Sequence, residues 1–102
     1  MNRPVPVTAV FDIGKTNKKF LLFDESFKVI HRGQTAIPLT TDDDGDACDD
    51  LGEMIDWMYD TFERNLADGR FNIEAINFTT YGASFVHLDD RGKAVTPLYD
   101  YL

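Results

Sequence analysis

Two apolar runs, 7–13 (VTAVFDI) and 18–24 (KKFLLFD), flank four turn-forming residues, Gly14-Lys15-Thr16-Asn17, and this pair constrains the fold more than any other feature. Each run has the length of a strand and is rich in β-branched and aromatic side chains. The glycine and small polar residues between them supply turn chemistry, so an antiparallel hairpin is expected. The first run is apolar at odd and even positions alike, the pattern of a strand buried on both faces. A further turn at Glu25-Ser26 leads to an expected third strand over 27–35 (FKVIHRGQT), where Phe27, Val29 and His31 alternate with Lys28, Ile30 and Arg32.

Such a sheet needs a cover, and residues 49–67 have the pattern of one. Leu51, Ile55, Met58, Phe62 and Leu66 recur at steps of four, three, four and four, which places all five on one helical face. Asp49 and Asp50 precede the run, where a cap and a first-turn acid are favoured, and Gly69 follows it, where helices stop. Full burial of those side chains is worth roughly 1.5–3 kcal/mol each before entropy costs. A fourth strand is expected over 75–80 (AINFTT), parallel to the first because it follows a crossover helix. Residues 84–88 and 94–98 are expected to form a hairpin around Asp89-Asp90-Arg91-Gly92, and 40–46 a polar loop. The class is α/β.

Composition bounds the function. A chain of 102 residues, 43% apolar, fills one small core. The net charge of −8 argues against nucleic acid or an anionic membrane as the main partner, and no apolar run has the length of a membrane span. The acidity is local. Residues 42–70 hold eleven acids against two bases, Arg64 and Arg70, whereas Lys15, Lys18 and Lys19 cluster at the first turn. A single cysteine, Cys48, makes no internal disulfide and fits a reducing cytoplasm.

Several motifs fail on their own chemistry. Gly14-Lys15-Thr16 matches the end of a P-loop, but Ala9 stands where the first glycine belongs, and the following residues read as strand rather than helix. Placing Gly45 at the invariant glycine of a calcium loop puts Thr40 at the first ligand position and Leu51 at the last, so that loop is a solvated acidic turn. His31, His87 and Cys48 lack metal-ligand spacing, and both histidines are expected in strands. What remains is the segment 11–19. Asp12 closes an apolar strand, and the turn after it offers a glycine, small polar side chains and three lysines. Such a turn is an anion cradle beside a carboxylate suited to hydrated Mg²⁺, or else a hairpin with a surface lysine cluster.

Residues 7–23 resemble the phosphate-binding hairpin of the actin, heat-shock ATPase and sugar-kinase superfamily. They are most similar to the D-x-G-T-T-S-x-R start of the FGGY carbohydrate kinases, with Asp12, Gly14, Thr16 and Lys19 at the matching positions. Residues 76–99 are similar to that family's strand, sugar-contacting turn and hairpin with D-x-x-G at its tip, here Asp89 and Gly92. Thr79-Thr80-Tyr81-Gly82 most resembles the rhamnulokinase and fuculokinase branches. The resemblance implies a ribonuclease H-like (actin-like ATPase) β-β-β-α-β unit, a mixed sheet with its helix on one face. It implies a cytoplasmic enzyme that uses ATP and Mg²⁺ to phosphorylate a sugar. Asp12 would hold the metal; Gly14, Lys15, Thr16, Asn17 and Lys18 the phosphates; Gly82 and Ser84 the sugar. Lys15 and Asn17 depart from the family's small hydroxyl residues, and Ser84 stands where its deoxysugar kinases commonly carry an aspartate. Family members are several times longer, so residues 1–102 are expected to be the N-terminal portion of the first domain, truncated and inactive alone, with the catalytic base beyond Leu102. The alternative is a stand-alone phosphate-binding module or a self-pairing homodimer.

Overall fold

The computed structural model of the chain describes residues 3–100. Strands β1 (Val5–Ile13), β2 (Lys18–Phe23) and β3 (Val29–Thr35) form the expected meander. Helix α1 (Leu51–Leu66) then crosses over to strand β6 (Phe71–Thr80), which lies parallel to β1. The sheet order is β3-β2-β1-β6. A second, small sheet pairs β4 (Thr40–Thr41) with β5 (Ala47–Asp49), and β5 with β7 (Leu98–Tyr99).

The core lies on one face of the large sheet. Val7, Ala9, Phe11 and Ile13 of β1 alternate inward beside Phe20 and Leu22 of β2, and Met54 and Trp57 of α1 cover them. Phe11 is the hub. Its ring packs on Phe20 at 4.9 Å, edge-on to Trp57 at 5.7 Å and stacked on Phe78 at 5.7 Å. The opposite face of β1 departs from the expected two-sided burial: Thr8 is exposed, and Val10 and Asp12 are half-buried.

The helix forms as expected but is rotated about its axis. Its buried residues are Met54, Thr61 and Asn65, with Trp57, Met58 and Phe62 half-buried beside them. Ile55 and Leu66, expected inside, are exposed. The apolar sector of α1 is wider than one stripe, and its remaining flank, with Ile76 and Phe78 of β6, lines an open apolar cavity of about 470 Å³. Among its buried residues, Thr61 and Asn65 are polar; Asn65 donates to the Thr61 carbonyl at 2.8 Å.

The helix starts at Leu51, later than the expected 49: Asp50 is the N-cap and accepts from the Glu53 N–H at 3.1 Å, while Asp49 ends β5. The stop is different. Ala67 is the C-cap, its N–H donating to the Glu63 carbonyl, and Gly69 falls in the following turn, where the Asp68 carboxylate accepts from the backbone N–H and the guanidinium of Arg70. Phe27, expected in β3, instead sits in the preceding turn at φ 62°, while the Asp24 carboxylate accepts from the N–H groups of Ser26 and Lys28. The acidic loop turns on Asp42, whose carboxylate accepts from the Asp44 and Asp46 N–H groups and from the Tyr99 hydroxyl. Residues 84–98 form no two-stranded ladder; a single bridge, Leu88 to Ala94, closes the Asp89–Gly92 turn. His87 therefore lies in a loop, not in a strand. None of the helices among the described residues is long and apolar enough to cross a membrane.

Candidate functional site

The site gathers at the carboxyl ends of the two parallel strands, where open α/β sheets receive ligands. Strand β1 ends at Ile13 and β6 at Thr80, and the Tyr81 N–H donates to the Ile13 carbonyl at 3.1 Å. That bond fixes the 14–17 turn beside the 81–84 turn. The first turn is tight: the Gly14 N–H donates to the Asn17 carbonyl at 2.9 Å. A Cβ on residue 14 would stand 2.7 Å from that oxygen, so only glycine closes the turn this way.

Asp12 lies one pleat before the turn, in register with Lys19 on β2 and Thr79 on β6. Its position between neighbours of opposite sequence origin places a half-buried carboxylate on the sheet's uncovered face. Lys19 is exposed there.

The other two lysines point their ammonium groups elsewhere. Lys18 is 1% exposed, and its Nζ donates to the Lys15 carbonyl at 3.1 Å, bracing the turn from inside. Lys15 Nζ donates to both oxygens of Asp49 at 3.1 Å and meets Asp100 Oδ1 at 2.8 Å. The Tyr81 hydroxyl donates to the same Asp49 carboxylate at 2.5 Å, and the Lys15 ammonium lies 5.4 Å from the centre of the Tyr81 ring. Burial works to lower the Lys15 pKa, but hydrogen bonds and charge from Asp100 and Asp49 outweigh it, and the ammonium is held above its ordinary value. Four segments far apart in sequence, carrying Lys15, Asp49, Tyr81 and Asp100, thus share one polar knot between the two sheets.

On the second turn, Gly82 has open space around its Cβ position, and the left-handed residue is its neighbour Ala83, at φ 64°. Ser84 donates to the Tyr99 carbonyl at 2.9 Å. Cys48 is buried in β5, where burial and the carboxylates of Asp42, Asp49 and Asp50 push its thiol up, the opposite of a reactive cysteine.

Asp49, Tyr81 and Asp100 are the residues that sequence reasoning missed. The pair Asp49-Asp50 reads as helix capping, yet Asp50 alone caps; the spare acid was the available signal.

A mixed sheet with one covering helix and loops converging at the parallel strand ends is the architecture of the N-terminal domain in actin-like ATPase folds. Residues 7–100 match the model of the FGGY family of carbohydrate kinases, N-terminal domain, and the chain belongs to that family. A carbohydrate kinase from Novosphingobium aromaticivorans is 26% identical, with a TM-score of 0.81 over 92% of this chain and 19% of its own. The gluconate kinase of Lactobacillus acidophilus (22% identity, TM-score 0.70, 93% of this chain and 19% of that one) shares the fold. So does the glycerol kinase of Plasmodium falciparum (15% identity, TM-score 0.77, 97% and 21%). The chain therefore spans about a fifth of the length of the structures it matches. No curated protein matches it.

Proposed function

We propose that this chain is the opening portion of the first domain of a kinase that transfers the γ-phosphoryl group of ATP to a sugar hydroxyl. The observation that supports this most is the bond from Tyr81 to Ile13, which brings a tight glycine turn and a second, independent turn to one end of the sheet. A reaction between two bound substrates needs that adjacency, because positioning and charge neutralisation supply most of the rate in phosphoryl transfer.

In this reading the β/γ-phosphates lie against the 14–18 turn. Gly14 allows close backbone approach, and Thr16 and Asn17 offer polar side chains. Lys15 and Lys18 act through their backbone groups, since their ammonium groups hold the turn together. Asp12 suits hydrated Mg²⁺: it is a half-buried oxygen donor on an open face, and that ion takes one or two carboxylates and keeps several waters. Bound there, the ion would neutralise charge developing on the transferred phosphoryl. Gly82 and Ser84 belong to the sugar side, and the rhamnulokinase and fuculokinase branches are the nearest by the Thr79–Gly82 motif. The same reading places the enzyme in the cytoplasm and the catalytic base in the sequence after Leu102.

The test is ADP release by the full-length protein with Mg-ATP across glycerol, gluconate, D-xylulose and 6-deoxyketoses. Turnover on at least one is expected, and Asp12→Asn should lower kcat by about 10²-fold or more. Residues 1–102 alone should give none. Absence of phosphoryl transfer by the full-length protein overturns the reading. A second reading, self-pairing of the chain, is favoured by the edge of β6, which is unpaired among the described residues.

A further inference from the structure

Helix α1 and the connection from β3 to β4 enclose an open groove of about 510 Å³, lined by none of the residues assigned above to phosphate, metal or sugar. Glu53, Asp56, Trp57 and Asp60 follow at steps of three, one and three, which puts them on one face of the helix; Pro38 and Leu39 of the connection complete the wall. Carboxylates at that spacing repel one another and work against the helix that carries them. No base relieves them. Among the described residues, the carboxylates of Glu53, Asp56 and Asp60 make no ion pair and accept no hydrogen bond. Arg64 gives its Nε–H to the Asp60 backbone carbonyl at 3.3 Å instead, and Arg70 is held by Asp68.

The rest of the groove suits a polypeptide. Leu39 is 49% exposed, and Trp57, packed on Phe11 at 5.7 Å, is only half-buried. An indole at such a border takes a Lys or Arg cation on its face and the apolar stem of that side chain beside it. Residues 36–39 belong to no strand, and among the described residues their backbone N–H and C=O groups form no hydrogen bonds. Unpaired backbone groups next to apolar side chains are what an added peptide pairs with. The spacing agrees. Glu53 and Asp60 lie about 10 Å apart along the helix axis, and alternate side chains of an extended peptide recur about every 6.6 Å. Two or three basic side chains at alternate positions therefore match the row of carboxylates. Residues 42–70, with eleven acids against two bases, supply a field of one sign that steers a cationic partner toward the groove.

We propose that this groove docks a basic segment of a partner protein in extended form, with Lys or Arg at alternate positions set against Glu53, Asp56 and Asp60. The apolar residues between them pack on Pro38 and Leu39, and Trp57 takes one cation. Charge alone would serve any polycation; the unpaired backbone of 36–39 and the apolar wall are what favour a peptide. The proposal does not rest on the kinase reading.

The test is fluorescence anisotropy of labelled heptapeptides with the full-length protein. The probe alternates lysine and valine (KVKVKVK); its controls are the isomer with the lysines grouped (KKKKVVV) and the acidic counterpart (EVEVEVE). The alternating basic peptide should bind about 10-fold or more tighter than the grouped isomer, weaken as salt rises, and leave the acidic peptide unbound. The double change Asp56→Lys with Asp60→Lys should raise its Kd by about 10- to 100-fold without lowering Tm, because the replaced residues are exposed and mutually repelling. Leu39→Ser, at an exposed position, should weaken the alternating peptide by a few-fold and leave the grouped isomer unaffected. The inference is overturned if the alternating peptide does not bind, as it would not if another part of the protein already fills the groove. It is equally overturned if spermine or the grouped isomer binds as tightly, which would make the helix face a general polycation surface, or if the charge reversals leave the Kd unchanged.

Discussion

At the scale of single residues, the site divides into positions whose chemistry is local and positions whose chemistry is borrowed. Gly14 is local: its N–H closes a turn with Asn17, and the space for a side chain is already filled by the Asn17 carbonyl. Gly14→Ala should therefore destabilise the protein by about 1–3 kcal/mol, read from a denaturant midpoint, because the turn must open to admit the methyl group. Lys15 is borrowed. Three lysines near a glycine turn read as an anion cradle, but the ammonium of Lys15 is engaged by Asp49 and Asp100, 34 and 85 positions away in the chain. No spacing rule connects those residues, so the knot was not legible in advance. Asp12 was legible as a carboxylate out of place in an apolar strand, and the structure sets it on the uncovered face beside Lys19 and Thr79.

At the scale of elements, local signals worked where they were strong and redundant. The N-terminus of α1 carries an aspartate in capping position, and Asp50→Ala should cost about 1 kcal/mol in chemical denaturation. At the far end α1 stops at Ala67, ahead of Gly69, and the turn that follows is held by the Asp68 carboxylate. The Arg70 side chain and backbone N–H hold the Asp68 carboxyl down at about 2. A carboxyl depressed below its unfolded value of about 4 adds stability above that value and loses it as pH falls toward the folded one. Asp68→Asn should thus be less stable than wild type at neutral pH, with the gap in Tm closing between about pH 4 and pH 2. The rotation of α1 has a different origin. Its apolar residues cover more than one stripe, so periodicity alone did not choose the buried side; Met54 and Trp57 won because they fit over Phe11 and its neighbours. The Ser84–Leu88 and Ala94–Leu98 segments had strand-like composition but found one bridge only, since 98–99 pair with β5 instead.

At the scale of the whole molecule, the exposed flank of α1 and the outer edge of β6 are one continuous feature. Phe78 is 52% exposed although its ring stacks on the core residue Phe11, and among the described residues β6 has a neighbour on one side only. The chain is elongated, with a Cα radius of gyration of 15.9 Å, against about 13 Å for a compact domain of 100 residues. An open strand edge backed by apolar side chains invites pairing. In light scattering, residues 1–102 alone should self-associate, and a double change of Ile76→Lys and Phe78→Lys should return them to monomer. By itself the sequence determined the order β1, β2, β3, α1 and β6, the parallel return of β6 and the glycine turn, because each follows from local patterns of apolar and turn-forming residues and the crossover between them. Only the tertiary structure decided which side of α1 is buried, that Asp12 faces the open side of the sheet, and that Lys15 joins Asp49, Tyr81 and Asp100. Those outcomes depend on packing and charge pairing between residues distant in the chain, whose energies are settled only when the sheet and its loops have come together.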